Sequence, residues 1–324
     1  MKYIVIIILL LIIMLESRVL NTTPICSGMH MRARKIFNKE YNGSYKLFNP
    51  SITHYKGQFL LSARNSNATM KNLWMYITHR FDYNSSIWLL LLNNKFEVKQ
   101  TIIPTFIGSY PLEDPRIIIV KDKIIISATE VISPNKIYPV LFHLDSDMNV
   151  TKRVEYLRSS YRNTSSIQKN WCPFLHEGSV LLHTDADPWC VYSLDIDNGS
   201  IQKIVEKKCF KQGKRTYFRC STSWKEFNTN TYICGVHVKT YDPIFNKLAI
   251  IRSVLVEIDK ESLIPLRMTG SFCLDRDHHP IQFLSGLEVI NDNIIMSFGL
   301  GDYQSTLYSI SKNRIDKMMK VICY

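Results

Sequence analysis

A recurring β-hairpin unit constrains the fold of this chain more than any other feature of its sequence. Each unit begins with small, polar or proline residues, continues into an apolar strand, turns, and returns in a second apolar strand. In the clearest copy, Glu113-Asp114-Pro115-Arg116 leads into the β-branched residues 117–120, and Lys121-Asp122-Lys123 turns the chain into residues 124–126. The five units begin at residues 50, 115, 173, 221 and 286, at intervals of 65, 58, 48 and 65 residues.

Intervals of this length suit one four-stranded blade per unit, and five units suit a five-bladed β-propeller. The sequence shows no long apolar pattern with the helical period, which argues against alternating helices and strands. We therefore predict an all-β chain with one five-bladed propeller over residues 45–324. A lead-in segment over residues 19–44 would close the ring. A pair of β-sandwiches is the alternative architecture.

Residues 1–18 predict a signal peptide or a signal anchor. Lys2 precedes an unbroken apolar run over residues 3–15, which is shorter than the ~20 residues that a membrane span needs. Such a run directs the rest of the chain into the secretory lumen or out of the cell, with membrane anchoring through residues 3–15 if it is not cleaved. Glycosylation sequons agree with this route, and they lie at Asn21, Asn42, Asn67, Asn84, Asn149, Asn163 and Asn198.

The eight cysteines include no Cys-x-x-Cys pair, so neither a zinc ribbon nor thioredoxin-like chemistry is expected. An even number of cysteines in an oxidising compartment predicts disulfides. Because the chain ends must meet where a propeller closes, we expect Cys26 to pair with Cys323.

The formal net charge of +12 favours an anionic partner such as a nucleotide, a phosphate or an acidic glycan. The lysines and arginines are scattered among turns and no recognition motif is present, so nucleic acid is not a predicted partner. The acidic and histidine residues at 275–279 precede a strand and are interpreted as a turn, so no metal site is predicted.

The first strand of each propeller blade lines the central channel, so the unit entrances should converge on one funnel. Carboxylates, cations and a tryptophan in one funnel suit a sugar, because polar groups bind hydroxyls and a carboxylic acid can protonate a glycosidic oxygen. Taken alone, Asp114 beside Arg116 is also typical of a salt-bridged strand entrance. The residues expected in the funnel are Asn49, Arg64, Asp114, Lys169, Asn170, Trp171, residues 219–222, His237, Lys239, Ser285, Gly301 and Asp302.

Several segments resemble, in the same order, the β-mannoside phosphorylases and hydrolases of glycoside hydrolase family 130. They also resemble the related β-1,2-mannosyltransferases that share a five-bladed propeller. The resemblance covers roughly residues 45–310 and rests on Asn49-Pro50-Ser51, Arg64, Glu113-Asp114-Pro115-Arg116, Lys169-Asn170-Trp171-Cys172-Pro173-Phe174, Gly235-Val236-His237-Val238-Lys239 and Gly299-Leu300-Gly301-Asp302.

The resemblance implies that Asp114 is the general acid and that no cofactor is needed. It implies that Asn49, Arg64 and Asp302 hold the reacting sugar. Lys169, His237 and Lys239 would then face the acceptor or an anionic group, and Arg116 and Trp171 would complete the substrate-binding set.

Two classes of function follow. As an enzyme, the protein would act on β-mannosyl-like glycosides with inversion, as a glycosyltransferase or a glycoside phosphorylase. Its partners would be a glycan together with a nucleotide sugar, a sugar phosphate or inorganic phosphate. An inverting hydrolase would need a second carboxylate as base, for which Glu288, Asp275 and Asp277 are the candidates. As a binding protein, the same funnel would be lectin-like and would not need Asp114.

Overall fold

The chain folds into five antiparallel sheets, and consecutive sheets contact one another around a closed ring. The fold is the predicted five-bladed β-propeller, and the alternative pair of β-sandwiches is wrong. The computed structural model describes residues 34–39, 46–67, 84–106, 108, 110–133, 135–156, 168–210, 216–241, 249–272 and 281–322.

The first three blades each contain four strands in simple up-and-down order. The ring-closing strand β1 (Arg34–Lys39) precedes them in the chain. Blade one comprises β2 (Lys46–Tyr55), β3 (Gln58–Ser66), β4 (Ser85–Leu92) and β5 (Val98–Ile102). Blade two comprises β6 (Leu112–Val120), β7 (Lys123–Ser133), β8 (Lys136–Leu144) and β9 (Val150–Glu155). Blade three comprises β10 (Cys172–His176), β11 (Ser179–Ala186), β12 (Trp189–Leu194) and β13 (Ile201–Lys207).

The last two blades carry the ring closure. Blade four comprises β14 (Thr216–Cys220), β15 (Lys225–Glu226), β16 (Thr231–Tyr241), β17 (Ala249–Asp259), β18 (Pro265–Met268) and the C-terminal β22 (Lys320–Val321). Blade five comprises β19 (Gln282–Ile290), β20 (Asn293–Leu300) and β21 (Gln304–Ser311), and α1 (Lys312–Met318) follows β21. Strand β1 pairs with β21 as the fourth strand of blade five. The lead-in segment therefore closes the ring, as predicted.

Two-residue turns join the first and second strands of the early blades. The backbone φ angles are positive at both turn residues, for example 46° and 76° at Lys56 and Gly57, and 45° and 67° at Lys121 and Asp122. This turn geometry matches the right-handed twist of antiparallel strands. The charged turns in the sequence therefore mark the end of the propeller opposite the strand entrances.

The fourth unit differs from the prediction. Its first strand is β14, which ends at Cys220, immediately before Ser221, where the sequence placed the start of the unit. Strand β14 alternates exposed Tyr217 and Arg219 with more buried neighbours, so it lacks a continuous apolar run. The sequence criterion detected β16 instead, whose residues are apolar and buried over most of its length.

The hydrophobic core lies between consecutive blades rather than in the central channel. Five clusters of buried side chains fill the spaces between neighbouring blades. The cluster between blades three and four contains Trp189 and Trp224, and Phe174 stacks on Trp224 with ring centroids 4.0 Å apart. Aromatic side chains of this size fill the wedge-shaped space between two blades well. Because the apolar side chains pack between the blades, the central channel remains available for polar groups.

Five cysteines lie in the described part of the chain, and all five are free and buried: Cys172, Cys190, Cys209, Cys220 and Cys234. Disulfides are therefore not formed among these five, contrary to the expectation. The proposed pairing of Cys26 with Cys323 and the apolar run over residues 3–15 both lie outside the described residues. Within the described ranges, no helix has the length and apolar character needed to cross a membrane.

Candidate active site

Four polar residues near the mouth of the channel adopt left-handed backbone conformations. The φ angles are 50° at Asn49, 45° at Asp114, 66° at Asn170 and 54° at Asp302. Asparagine and aspartate tolerate this region better than other residues with a side chain. The strand pairing slips at two of them, between Phe48 and Ser51 and between Glu113 and Arg116. Each slip is a bulge that turns a polar side chain out of the regular ladder.

Asn49, Arg64, Glu113 and Asp114 meet in one hydrogen-bonded group. The Asn49 Nδ2 atom donates to Asp114 Oδ1 at 2.8 Å. The Arg64 guanidinium lies 3.6 Å from Asp114 Oδ1 and 2.9 Å from Glu113 Oε1, and its Nε donates to Ser85 Oγ at 3.2 Å. Blades one and two thus supply one continuous polar group, although Asn49 and Asp114 are 65 residues apart.

The Asn49 bulge is held in place by blade five. The Pro50 carbonyl accepts hydrogen bonds from Ser285 Oγ at 2.8 Å and from Ser297 Oγ. Gly299 allows the Asn49 amide to approach, because a Cβ atom at residue 299 would lie 1.8 Å from Asn49 Oδ1. The amide that binds Asp114 is therefore fixed by contacts on both sides.

Asp114 is ionised in this site. Burial alone would raise the pKa of its carboxyl, but the charges of Arg64, Arg116 and Lys169 and the hydrogen bond from Asn49 outweigh burial and hold the pKa below the usual value of 3.8. The resemblance implies a general acid at Asp114, and this neighbourhood removes the proton that such an acid must hold. Asp114 is therefore ready to accept a proton or a hydrogen bond from a hydroxyl.

The pKa of Asp302 is shifted in the opposite direction. Burial raises the pKa of Asp302 to about 6, and the charge of Arg64 only partly offsets this effect. The nearby carboxylates of Asp114 and Glu113 raise the pKa further by repulsion. Because the carboxyl groups of Asp114 and Asp302 interact, the proton is held on Asp302 rather than on Asp114 at mildly acidic pH.

His237 is buried within electrostatic range of Asp114 and is neutral. Its Nδ1 atom is 2.8 Å from Ser221 Oγ, and its ring packs edge-to-face on Phe283 with centroids 5.0 Å apart. Burial lowers the pKa of His237 to about 3, and the charges of Arg116, Arg219 and Lys169 lower it further. His237 therefore contributes a hydrogen bond, and the positive charge near it comes from its neighbours.

Arg116 supports the site from beneath. It is fully buried, its Nη1 atom donates to the carbonyls of Asp114 at 3.0 Å and Pro115 at 2.9 Å, and its guanidinium lies over the Phe283 ring at 5.3 Å. These contacts stabilise the bulge that presents Asp114. The expectation that Arg116 also contacts substrate stays a prediction.

The side chain of Trp171 is buried between two blades. It is only 6% exposed and packs edge-to-face on Tyr156, with centroids 4.9 Å apart, in the cluster between blades two and three. Its side chain belongs to the core, so it does not offer a face to a sugar ring. Lys169, two residues earlier, is exposed, and Lys239 is half-buried.

Glu288 does not belong to this end of the channel. Its Oε2 atom accepts hydrogen bonds from Lys225 Nζ at 2.7 Å and from the His54 backbone N–H at 3.0 Å. His54 is five residues beyond Asn49 on β2, which corresponds to roughly 15 Å along a strand. Glu288 is therefore not the second carboxylate of a hydrolase. Asp275 and Asp277 lie outside the described residues.

Sequence reasoning missed Glu113 and Gly299 as site residues, whereas it did expect Arg219 in the funnel. Glu113 directly precedes Asp114, and its pairing with Arg64 could have been inferred once both were placed in one funnel. No local signal marks Gly299, because its role depends on contact with a different blade. Among the residues that the structure describes, no three His, Cys, Asp or Glu side chains gather as a metal site would require.

Comparisons with known proteins support the fold. No protein-family model matches the chain, and no curated protein matches its sequence. The β-1,2-mannobiose phosphorylase of Listeria innocua matches the structure with a TM-score of 0.62 at 13% identity, over 89% of this chain and 99% of that one. This chain shares its propeller fold.

Two further solved structures agree. One comes from work showing that the GH130 family of mannoside phosphorylases contains glycoside hydrolases that target β-1,2-mannosidic linkages in Candida mannan. It matches with a TM-score of 0.62 at 10% identity, over 94% of each chain. A GDP-mannose-dependent mannosyltransferase of Leishmania mexicana matches with a TM-score of 0.59 at 11% identity, over 88% of this chain and 90% of that one. The resemblance inferred from the sequence is thus confirmed at the level of the fold.

Proposed function

We propose that the protein is a carbohydrate-active enzyme that transfers a mannosyl group with inversion to a glycan hydroxyl, with Asp114 as the catalytic carboxylate. The observation that supports this most directly is the ionised Asp114, held between Asn49 and Arg64 on the bulge at the channel mouth. The proposal is consistent with the fold, which is also found in a mannoside phosphorylase and a mannosyltransferase.

The charge state of Asp114 favours the synthetic direction. Transfer to an acceptor requires a base that removes the proton of the attacking hydroxyl, whereas cleavage requires an acid that protonates the glycosidic oxygen. By microscopic reversibility one carboxyl group performs both roles in the two directions. Because the resting site holds Asp114 without its proton, the base role needs no prior rearrangement.

The surrounding cations favour transfer from a donor with an anionic leaving group over hydrolysis, in which water is the nucleophile. Arg116, Arg219 and Lys169 all act electrostatically on His237, and Arg116 and Lys169 also act on Asp114. A hydrolase would instead need a carboxylate base spaced ~6.5–9.5 Å from the acid. Glu288, which sequence reasoning considered for that role, is held by Lys225 at the opposite end of the channel.

The test is a donor and acceptor screen on the purified full chain. GDP-mannose and mannose 1-phosphate are each supplied with mannose oligosaccharides, and β-1,2-mannobiose is supplied with inorganic phosphate. The anomeric configuration of any product is read by NMR. We expect an α-linked donor to give a β-linked product. Oligosaccharide binding without turnover of any donor would instead make the funnel a lectin-like site.

A further inference from the structure

Ser85 connects the arginine of the candidate site to the neighbouring blade. It is the first residue of β4, and it is buried with only 5% of its surface exposed. Its Oγ atom donates a hydrogen bond to the Leu112 carbonyl of blade two at 2.6 Å and accepts one from Arg64 Nε at 3.2 Å. A hydroxyl can donate and accept at the same time, so this one side chain joins Arg64 to the entrance of blade two.

The Arg64 guanidinium is oriented by contacts on several sides. Its Nε donates to Ser85, and its Nη2 donates to Glu113 Oε1 at 2.9 Å. The guanidinium carbon lies over the Phe48 ring, 4.9 Å from the ring centroid. Two hydrogen bonds in fixed directions and a ring contact restrict the rotation of this planar group. The Nη1 atom is thereby held 3.6 Å from Asp114 Oδ1.

Ser85 and Arg64 both bind the short stretch of blade two that carries the catalytic carboxylate. Leu112, Glu113 and Asp114 are the first residues of β6, and the bulge in this stretch turns Asp114 out of the regular ladder. Ser85 binds the carbonyl that directly precedes Glu113, and Glu113 in turn binds Arg64. The Ser85 hydroxyl therefore fixes Arg64 and the Asp114 bulge relative to one another.

We propose that Ser85 is a positioning residue for the reaction, because its hydroxyl aims the Arg64 guanidinium at Asp114 and at the sugar bound beside it. Ser85 acts through Arg64 and does not take part in the chemistry. This inference rests on the proposed transfer function for the identity of the reaction. If Ser85 only joined the two blades, its loss would lower stability and leave substrate binding unchanged.

Loss of the Ser85 hydroxyl should also change the pH dependence of the reaction. The charge of Arg64 lowers the pKa of both Asp114 and Asp302, and a displaced Arg64 lowers them less. Because Asp114 accepts a proton only when it is ionised, the acidic limb of the kcat/KM profile should move to higher pH in Ser85→Ala. We expect a shift of about half a unit, which is part of the ~1–3 units that a nearby opposite charge causes. The other titratable and charged groups around these carboxyls are unaltered in this variant, and they are Glu113, Arg116, Lys169 and His237.

Steady-state kinetics of wild type, Ser85→Ala, Arg64→Ala and the double variant test the positioning role. The substrates are the donor and acceptor found in the screen. Loss of one hydrogen bond predicts that Ser85→Ala raises KM for the mannosyl donor about fivefold, and that it lowers kcat less. Ser85→Ala should add nothing in the Arg64→Ala background, whereas Ser85→Thr keeps the hydroxyl and should restore KM. Ser62→Ala is the matched control, because Ser62 is buried on the same strand as Arg64 and its hydroxyl has no hydrogen-bond partner among the described residues.

Urea unfolding of the same four proteins tests the hydrogen bond without any substrate. Ser85→Ala removes the bonds to Arg64 and Leu112 in wild type but only the Leu112 bond in the Arg64→Ala background. The decrease in the unfolding midpoint should therefore be smaller in that background. Equal decreases in both backgrounds would overturn the link between Ser85 and Arg64.

The outcomes separate this inference from the proposed function. Wild-type KM and an unshifted pH profile in a folded Ser85→Ala variant would overturn the positioning role and leave the transfer function intact. If no donor is turned over, the transfer function fails, and the unfolding comparison still decides whether Ser85 holds Arg64. Calorimetric affinity for mannose oligosaccharides then replaces KM, and equal affinity of wild type and Ser85→Ala would overturn the role.

Discussion

Replacing Asp302 with asparagine should stabilise the protein at neutral pH and have little effect in acid. The pKa of Asp302 rises from its ordinary 3.8 to about 6 in the folded chain, chiefly because of burial. A carboxyl whose pKa is higher in the folded state stabilises the fold only while it is protonated. That contribution is fully present below the unfolded pKa and is lost as pH rises towards 6. The full difference corresponds to about 3 kcal/mol. It is the cost of holding the buried carboxylate ionised at neutral pH, and Asp302→Asn removes that cost.

Urea unfolding of both proteins at pH 4 and pH 7 measures this effect. The free energy of unfolding of Asp302→Asn, relative to wild type, should increase by about 2 kcal/mol from pH 4 to pH 7. This is less than the full difference because the carboxyl of the unfolded chain is already partly ionised at pH 4. Asp292→Asn removes an exposed turn carboxylate and serves as the control. A difference between Asp302→Asn and wild type that does not change with pH would refute the buried-carboxyl account of Asp302.

Three further predictions follow from the site and the sequence. Gly299→Ala should displace the Asn49 amide from Asp114 and lower turnover at least tenfold. Gly57→Ala is the control, because a Cβ atom at this turn glycine would meet nothing within 4 Å, and it should affect stability only. Equal turnover in both variants would contradict the packing argument. Arg64→Ala should raise KM more than it lowers kcat, because Arg64 lies beside Asp114 and would bind the substrate before the transition state is reached. An unchanged KM would show that Arg64 does not bind the substrate. Expression through a eukaryotic secretory pathway should glycosylate the exposed Asn149 and Asn198; electrophoretic mobility that endoglycosidase leaves unchanged would count against the predicted route.

Much of the architecture could be predicted from the sequence because the strands of a propeller are local. Each hairpin combines two apolar runs with a charged turn, and this pattern is visible in a short window, as at Lys121-Asp122. The same local reasoning failed at β14, whose alternating pattern of Tyr217 and Arg219 is typical of a half-exposed strand. An inner strand with one half-exposed face lacks the continuous apolar run by which the others were found.

The site was predictable where proline and polar residues mark a bulge. Asn49-Pro50 and Asp114-Pro115 both signal an irregular strand, and the structure joins them through a hydrogen bond. The depth of each side chain was not predictable, because it depends on which neighbouring blade it meets. Trp171 therefore lies in the core between two blades, and the Arg116 guanidinium binds the carbonyls of Asp114 and Pro115.

Whether nearby carboxylates would raise the pKa of Asp114 could not be decided from the sequence. The sequence gives the carboxylates and cations but not their distances, and the sign of a pKa shift depends on which group is nearest. The structure places Arg64 and Asn49 directly against Asp114 and leaves Asp302 enclosed. The proton therefore favours Asp302, and this arrangement supports the base role that we propose for Asp114.

The most direct test of the central claim is the turnover of Asp114→Asn on the best donor and acceptor from the screen. We expect kcat to fall by about 10²–10⁴, the usual contribution of acid–base catalysis, while glycan affinity and thermal stability stay close to wild type. Glu288→Gln is the matched control, because it alters a carboxylate at the other end of the channel and should leave kcat of the folded protein unchanged. Full activity of Asp114→Asn on every substrate that wild type accepts would contradict the catalytic assignment.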